Sequence, residues 1–232
     1  MLSINKVSFH YHSNQEVINN VDFHAKKGSV LGLLGHNGSG KSTLMRIIAR
    51  LLYPRKGSIT IDGIDYQQLS NQNFYTRMGI MIEEPSFYRH LTVWDNLRII
   101  THYRRLESKV METSLKAVEM WDKRRIKVKE LSTGMKQRVG IASTMLFNPD
   151  IILLDEPTNG LDPDGMIDIR NLILKLKEEG RTLIVSSHLL SEMERICDQV
   201  IILRNGQQVF FGDVVNLGDH RDLESLYLSY SP

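Results

Sequence analysis

The stretch "VLGLLGHNGSGKSTLMRII", Val30 to Ile48, decides the fold. An apolar run of strand length ends at Leu34, a glycine-rich loop follows, and helical periodicity begins at Lys41. Between them, Gly35, His36, Asn37, Gly38, Ser39, Gly40, Lys41, Ser42 and Thr43 match the phosphate-binding pattern G-x-x-x-x-G-K-[ST]. Glycines let the backbone wrap closely, so that its N–H groups point at phosphate oxygens. Lys41 adds a cation for the β and γ oxygens, and the Ser42 hydroxyl is a ligand for Mg²⁺. A chance glycine turn before a helix is the bland alternative, and it is disfavoured because strand and helix are both in place. The helix is expected from Lys41 to Leu52.

Working outward, 232 residues with 41% hydrophobic content suit one large domain, or a core with a subdomain. A net charge of +2 says little about partners. The dense basic run "KRRIKVK", Lys123 to Lys129, reads as a solvated helix face or connector in preference to a phosphate or lipid contact. One cysteine, Cys197, excludes an intrachain disulfide framework; its apolar periodic neighbours make it a small core residue, and a reducing cytoplasm is expected. No window is apolar enough to span a membrane, and the start of the chain lacks the apolar core of a signal peptide. The expectation is a soluble protein, or one that docks on a membrane through another.

Upstream of the loop, "NKVSFHY" and "INNVDFHA" are β-patterned, and "GSITIDG" downstream reads as an exposed strand. A small antiparallel sheet joined to a parallel one is expected. From Leu91 to Asn148 apolar residues recur at helical spacing (Val93, Leu97, Ile100; Val110, Leu115, Val118, Trp121), which marks an inserted helical subdomain. After Asp162 a helix has an aspartate cap, Pro163 at its first position and an inner face of Ile169, Leu172, Ile173 and Leu176, with Gly180 ending it. The hairpin "QVIILRNGQQVFFG" turns on Asn205-Gly206, which suits a type I′ turn. The division expected is a core over 1–82 and 150–218, a helical subdomain over 83–149 and a short tail over 219–232.

Acids follow two buried strands. "DIILLDEP" ends in Asp155, able to hold a Mg²⁺ shell, and Glu156, placed to take a proton from an attacking water. "MGIMIEEPSFYRH" ends its apolar run at Ile82 and continues with Glu83, Glu84 and Pro85. These acids are either a solvated turn or chemistry outside the carboxyl end of a strand. Further along, "LSTGMKQR" offers a serine cap and a glycine at a helix start, where free N–H groups attract an anion.

Phosphate loop, acidic strand and "LSTGMKQR" together resemble the ABC-type ATPases, whose signature motif is normally L-S-G-G-Q. Leu131, Ser132 and Gly134 match it; Thr133 replaces a glycine and Met135 the glutamine. The resemblance covers nearly the whole chain and implies an α/β fold: a P-loop NTPase (RecA-like) parallel-sheet core, an N-terminal antiparallel β subdomain and an inserted helical subdomain. It further implies that Tyr11 stacks on adenine, that Asp162 in "NGLD" belongs to the D-loop facing a partner subunit, and that His188 is the switch histidine reaching the γ-phosphate. His10, His12, His24 and His36 show no metal-ligand spacing.

By the same resemblance Glu83 occupies the position of the Q-loop glutamine, as a Mg²⁺ and catalytic-site carboxylate; Glu84 is expected to be mostly a solvated turn residue. Pro85, Phe87 and Tyr88 fall on the surface that cradles a transmembrane permease subunit. A glutamate in this loop is similar to the ATPase subunits of bacitracin- and lantibiotic-type exporters. The implied protein is an ATPase using ATP and Mg²⁺, peripheral on the cytoplasmic face of the cell membrane. It would pair head to tail with a second copy or a paralogue, and no nucleic acid is expected. Rival readings are a non-transport ABC protein acting on ribosomes or DNA, a small-molecule kinase, and a nucleotide switch with negligible turnover. The first lacks its usual second cassette or coiled insertion; the kinase would not need "LSTGMKQR", "NGLD" or His188; Glu156 argues against the switch.

Overall fold

The structure is a computed structural model that describes residues 1–12, 16–83, 85–218 and 220–230. Its strands are β1 (Leu2–Phe9), β2 (Ile18–Ala25), β3 (Val30–Leu34), β4 (Lys56–Ile61), β5 (Ile64–Asp65), β6 (Met78–Met81), β7 (Ile151–Asp155), β8 (Thr182–Ser187), β9 (Gln199–Arg204) and β10 (Gln207–Asp213). Its α-helices are α1 (Lys41–Ile48), α2 (Asn71–Arg77), α3 (Val93–Tyr103), α4 (Lys109–Ala117), α5 (Thr133–Thr144), α6 (Pro163–Glu178), α7 (Leu190–Ile196) and α8 (Leu223–Ser229). The strands form a continuous sheet in the order β5-β4-β1-β2-β10-β9-β3-β8-β7-β6. β1 pairs antiparallel with β2 and β4, whereas β9, β3, β8, β7 and β6 run parallel. One pair, Gln207 with Asn19, joins the two regions.

The parallel part is apolar on both faces, so its strands read as continuous hydrophobic runs. Along β3, Val30 and Leu34 enter one core while Leu31 and Leu33 enter the other; Ile152 and Leu154 of β7 alternate with Ile151 and Leu153 in the same way. The first core continues into the helical subdomain through Val93, Leu97, Leu115 and Val118; the second takes in α1, α2 and the antiparallel strands. "GSITIDG" is not an exposed strand: Ile59 and Ile61 of β4 are buried, because β4 lies between β1 and β5 with one face on that second core.

α1 stops at Ile48, short of the expected Leu52, because Arg50 turns left-handed (φ 59°) and its guanidinium lies 4.9 Å from the centre of the Phe74 ring. α6 matches its sequence signals: the Asp162 side chain accepts from the Gly165 N–H at 2.9 Å, and Ile169, Leu172, Ile173 and Leu176 are buried. The basic run forms a connector whose carbonyls at Arg124 and Ile126 accept from the first free N–H groups of α3. The segment after 219 is more than a tail. Asp222 and Ser225 form a reciprocal cap, and α8 buries Leu223 and Leu226 in the first core. Cys197 is buried, and its burial pushes the thiol well above its ordinary pKa.

Candidate nucleotide-binding site

Parallel strands end on one edge of the sheet, and the side chains singled out in the sequence collect there. β3 delivers the glycine-rich loop, β8 leads to His188, β7 ends in Asp155, and β6 leads to Glu83. The loop itself depends on missing side chains. A Cβ on Gly35 would lie 2.6 Å from the Leu203 carbonyl oxygen, and one on Gly40 (φ 106°) 2.7 Å from Ile18 Cδ1. The β9–β10 hairpin braces the loop from below: the Gly206 N–H donates to the Ser39 carbonyl at 3.0 Å. Asn205 and Gly206 both have positive φ, as a type I′ turn requires.

At the loop's end α1 begins with Gly40 as its cap residue and no side-chain cap, so its first N–H groups are left to an anion. The Ser39 hydroxyl is buried without a hydrogen-bond partner among the described residues. An oxyanion seated in the loop would satisfy both. Lys41 is 6% exposed; its ammonium donates to the carbonyls of Gly35 at 2.6 Å and His36 at 3.4 Å and lies 3.9 Å from Glu156 Oε1. Burial lowers its pKa, opposed by the carboxylates of Glu156 and Asp155. A cation held by dipoles and carboxylates in a desolvated cradle is suited to phosphate oxygens.

Glu156 takes a left-handed backbone (φ 46°) that turns its carboxylate between Lys41 and His188. Its Oε2 accepts from His188 Nδ1 at 2.9 Å. Sequence reasoning did not single out Ser186, which organises both acids. Its buried hydroxyl donates to Asp155 Oδ1 and accepts from the Glu156 N–H at 2.9 Å. The register pairs Asp155 with Ser186 directly. The available signal was "SS" closing an otherwise apolar strand. For Mg²⁺, the exposed Ser42 hydroxyl and the Asp155 carboxylate are hard oxygen donors of the right type. No cluster of three acids, histidines or cysteines able to hold a metal occurs among the described residues.

Glu83 does not join that donor set. It too is left-handed (φ 69°), but its carboxylate is 66% exposed and paired with Arg46 Nη2 of α1, a residue no motif marks. The reason is reach: α1 presents a guanidinium directly to the loop leaving β6. Glu84 lies outside the described residues. Pro85 packs on the signature helix, where a Cβ on Gly140 of α5 would collide with its ring. Phe87 is half-buried against the first core, while Tyr88 is 58% exposed, edge-on to His90. A second residue missed in the sequence, buried Asn96, holds Tyr88 by backbone bonds of 2.8 and 3.2 Å.

Tyr11 is 45% exposed, edge-on to Phe9, with its hydroxyl 3.3 Å from Thr43 Oγ1. It stands at the loop's rim, with ring surface open to solvent. Ser132 caps α5 by accepting from the Met135 N–H at 3.3 Å; Leu131 is buried, Thr133 exposed, and Gly134 and Met135 partly buried. The start of α5 and the start of α6 enclose a cleft of about 540 Å³ that Ser132, Gly134, Asp162 and Gly165 help to line.

A phosphate loop, an acidic strand end, a histidine on its glutamate and a capped signature helix define a nucleotide-binding cassette. The ABC transporter family matches residues 18–159, and the chain belongs to that family. The bacitracin transport ATP-binding protein BcrA of Enterococcus faecalis is 40% identical over 195 residues, 83% of this chain and 63% of BcrA. This chain therefore spans less than two thirds of that relative's length. The lantibiotic transport ATP-binding protein SrtF of Streptococcus pyogenes is 36% identical over 207 residues, covering 89% of this chain and 88% of SrtF. Among solved structures, the ATP-binding subunit of an ABC transporter superposes with a TM-score of 0.85 at 28% identity, covering 99% of this chain and 98% of its own. The dimeric post-hydrolysis cassette MJ0796 bound to ADP and Pi superposes with a TM-score of 0.80 at 28% identity, over 92% of this chain and 98% of that one.

Proposed function

We propose that the chain is the ATP-hydrolysing motor subunit of a membrane exporter whose cargo is a peptide or amphipathic antimicrobial compound. The observation that carries the hydrolytic part is the Glu156 carboxylate, fixed between Lys41 at 3.9 Å and His188 at 2.9 Å. Lys41 and the N–H groups of the loop and of α1 bind and orient the phosphates. Ser42 and Asp155 would hold Mg²⁺, which would neutralise charge on the bound phosphates. Glu156 accepts the proton of the attacking water, and His188, by donating to its carboxylate, sets the direction in which that carboxylate points. Tyr11 offers its open ring face to the base.

The signature helix of one copy supplies its free N–H groups to the nucleotide of another, so that Leu131–Met135 and Asp162 work in trans in a head-to-tail pair. Exposed Tyr88, carried on the loop between Glu83 and α3, offers the contact for a transmembrane permease subunit. The kind of cargo rests on the similarity to BcrA and SrtF, a bacitracin and a lantibiotic transport protein. No helix among the described residues is long and apolar enough to cross a membrane. Two measurements test the proposal. Purified protein should release phosphate from ATP in a Mg²⁺-dependent way that Glu156→Gln suppresses. A host carrying the chain with its permease should tolerate more bacitracin or lantibiotic than one carrying Glu156→Gln. Equal phosphate release by the two forms sinks the hydrolytic role; equal tolerance sinks the cargo class.

A further inference from the structure

Three elements meet on one guanidinium at the outer lip of the site. Arg46, in the second turn of α1, donates from Nη2 to Glu83 Oε1, on the loop leaving β6. The Glu83 carboxylate, and after it the nearby Tyr11 hydroxyl just past the end of β1, raise the pKa of this guanidinium. The Tyr11 hydroxyl in turn meets Thr43 Oγ1, on the phosphate-binding turn itself, at 3.3 Å.

This contact is built to exchange. The side chains of Arg46 and Glu83 are 37% and 66% exposed, and solvent and salt screen a pair that open. Elsewhere the fold makes the other kind: Arg170 of α6 grips Glu192 of α7 with two bonds of 2.7 and 2.9 Å, and those side chains are only 18% and 14% exposed. Glu83 also holds a backbone conformation that a glutamate rarely adopts, so contacts, and not local preference, keep the loop in this shape.

We propose that Arg46 is a positioning residue for the reaction. From α1 it holds the Glu83 carboxylate at the lip of the phosphate loop in the nucleotide-free chain, and Glu83 turns toward the metal side of the site only by leaving Arg46. The inference rests on reading Gly35–Thr43 as the nucleotide site and on the metal-side role that the resemblance implies for Glu83, and it names the group that competes with the metal for that carboxylate. Such a competition has a signature. Removing the guanidinium should let the metal act at lower concentration, and removing the carboxylate charge should erase that effect. Arg46→Lys keeps the charge but loses the planar fork, so it should retain most of the hold.

The test titrates the full chain with a non-hydrolysable ATP analogue over a Mg²⁺ series, for wild type, Arg46→Met, Arg46→Lys, Glu83→Gln and the Arg46→Met/Glu83→Gln double variant. The Mg²⁺ concentration giving half of the metal-dependent gain in affinity should fall about three- to fivefold in Arg46→Met, the scale of an exposed ion pair. It should move by less than about twofold when Arg46→Met is made on the Glu83→Gln background. Without nucleotide, amide exchange in the loop around Glu83 should speed up in both single variants and no further in the double. An unshifted Mg²⁺ requirement in a folded Arg46→Met, or a shift that survives Glu83→Gln, overturns the role given to Arg46. If Arg46→Met fails to fold, loop exchange in Glu83→Gln decides: unchanged exchange overturns the proposal. A wild-type chain that binds no analogue at any Mg²⁺ concentration sinks the site reading, and the proposal with it.

Discussion

Glu83 and Glu156 follow neighbouring parallel strands, β6 and β7, and both turn their side chains through a left-handed backbone, φ 69° and 46°. There the likeness stops. Glu156 is 23% exposed, lies between Lys41 and His188, and has its N–H fixed by Ser186. Glu83 is 66% exposed and has one surface arginine as its ion-pair partner. The same backbone device at the same edge of the sheet therefore yields two kinds of carboxylate. One is held by several partners in a partly desolvated cradle, where electrostatic interactions are strong and preorganisation is built in. The other is held by a screened contact and is able to change partner. Position at a strand end offers a residue to the site, and burial decides whether it is fixed there.

The comparison breaks most easily at Glu156. Glu156→Gln should keep nucleotide binding but lower the hydrolysis rate by about 10²–10⁴-fold, the usual contribution of a general base. Phosphate release measured beside analogue binding checks this, and a wild-type rate would remove Glu156 from the role. Next comes its cation. Lys41→Ala strips the phosphates of a buried charged donor, and analogue affinity should drop by about 10–100-fold, the worth of a hydrogen bond to a charged group. An affinity close to wild type by calorimetry would count against the phosphate-loop assignment.

Ser186→Ala sharpens the contrast through stability. It removes a buried donor to Asp155 and a buried acceptor for the Glu156 N–H, so urea unfolding should show a loss of about 1–3 kcal/mol. Glu83→Gln, measured in the same way, should lose no more than about 1 kcal/mol, because its pair is exposed. Equal losses for the two would erase the distinction between fixed and exchangeable. The smallest effect belongs to Tyr88→Ala. An exposed ring beside His90 should leave stability and the ATPase rate unchanged while weakening co-purification with the proposed permease partner. Phe87→Ala should cost stability as well, since that ring packs on the first core, though less than the about 3–5 kcal/mol of a fully buried phenylalanine.

What the sequence determined by itself was whatever has a local cause. The strand–loop–helix pattern around Gly35–Thr43, the strand ends at Asp155 and before Glu83, and the cap and inner face of α6 all follow from neighbours a few residues apart. Backbone conformation, helical periodicity and capping act over that range, so those features could be read directly. Tertiary structure alone decided the pairings. Ser186 reaches Asp155 and Glu156 because β8 lies beside β7 in that register; the β9–β10 turn braces the phosphate loop; Gly140 lets the signature helix close on Pro85; and Arg46, not the metal donors, holds Glu83. A carboxylate is drawn to every cation within reach, and its own segment does not say which will be nearest. That choice falls to whichever element the fold brings alongside, and here α1 brings Arg46.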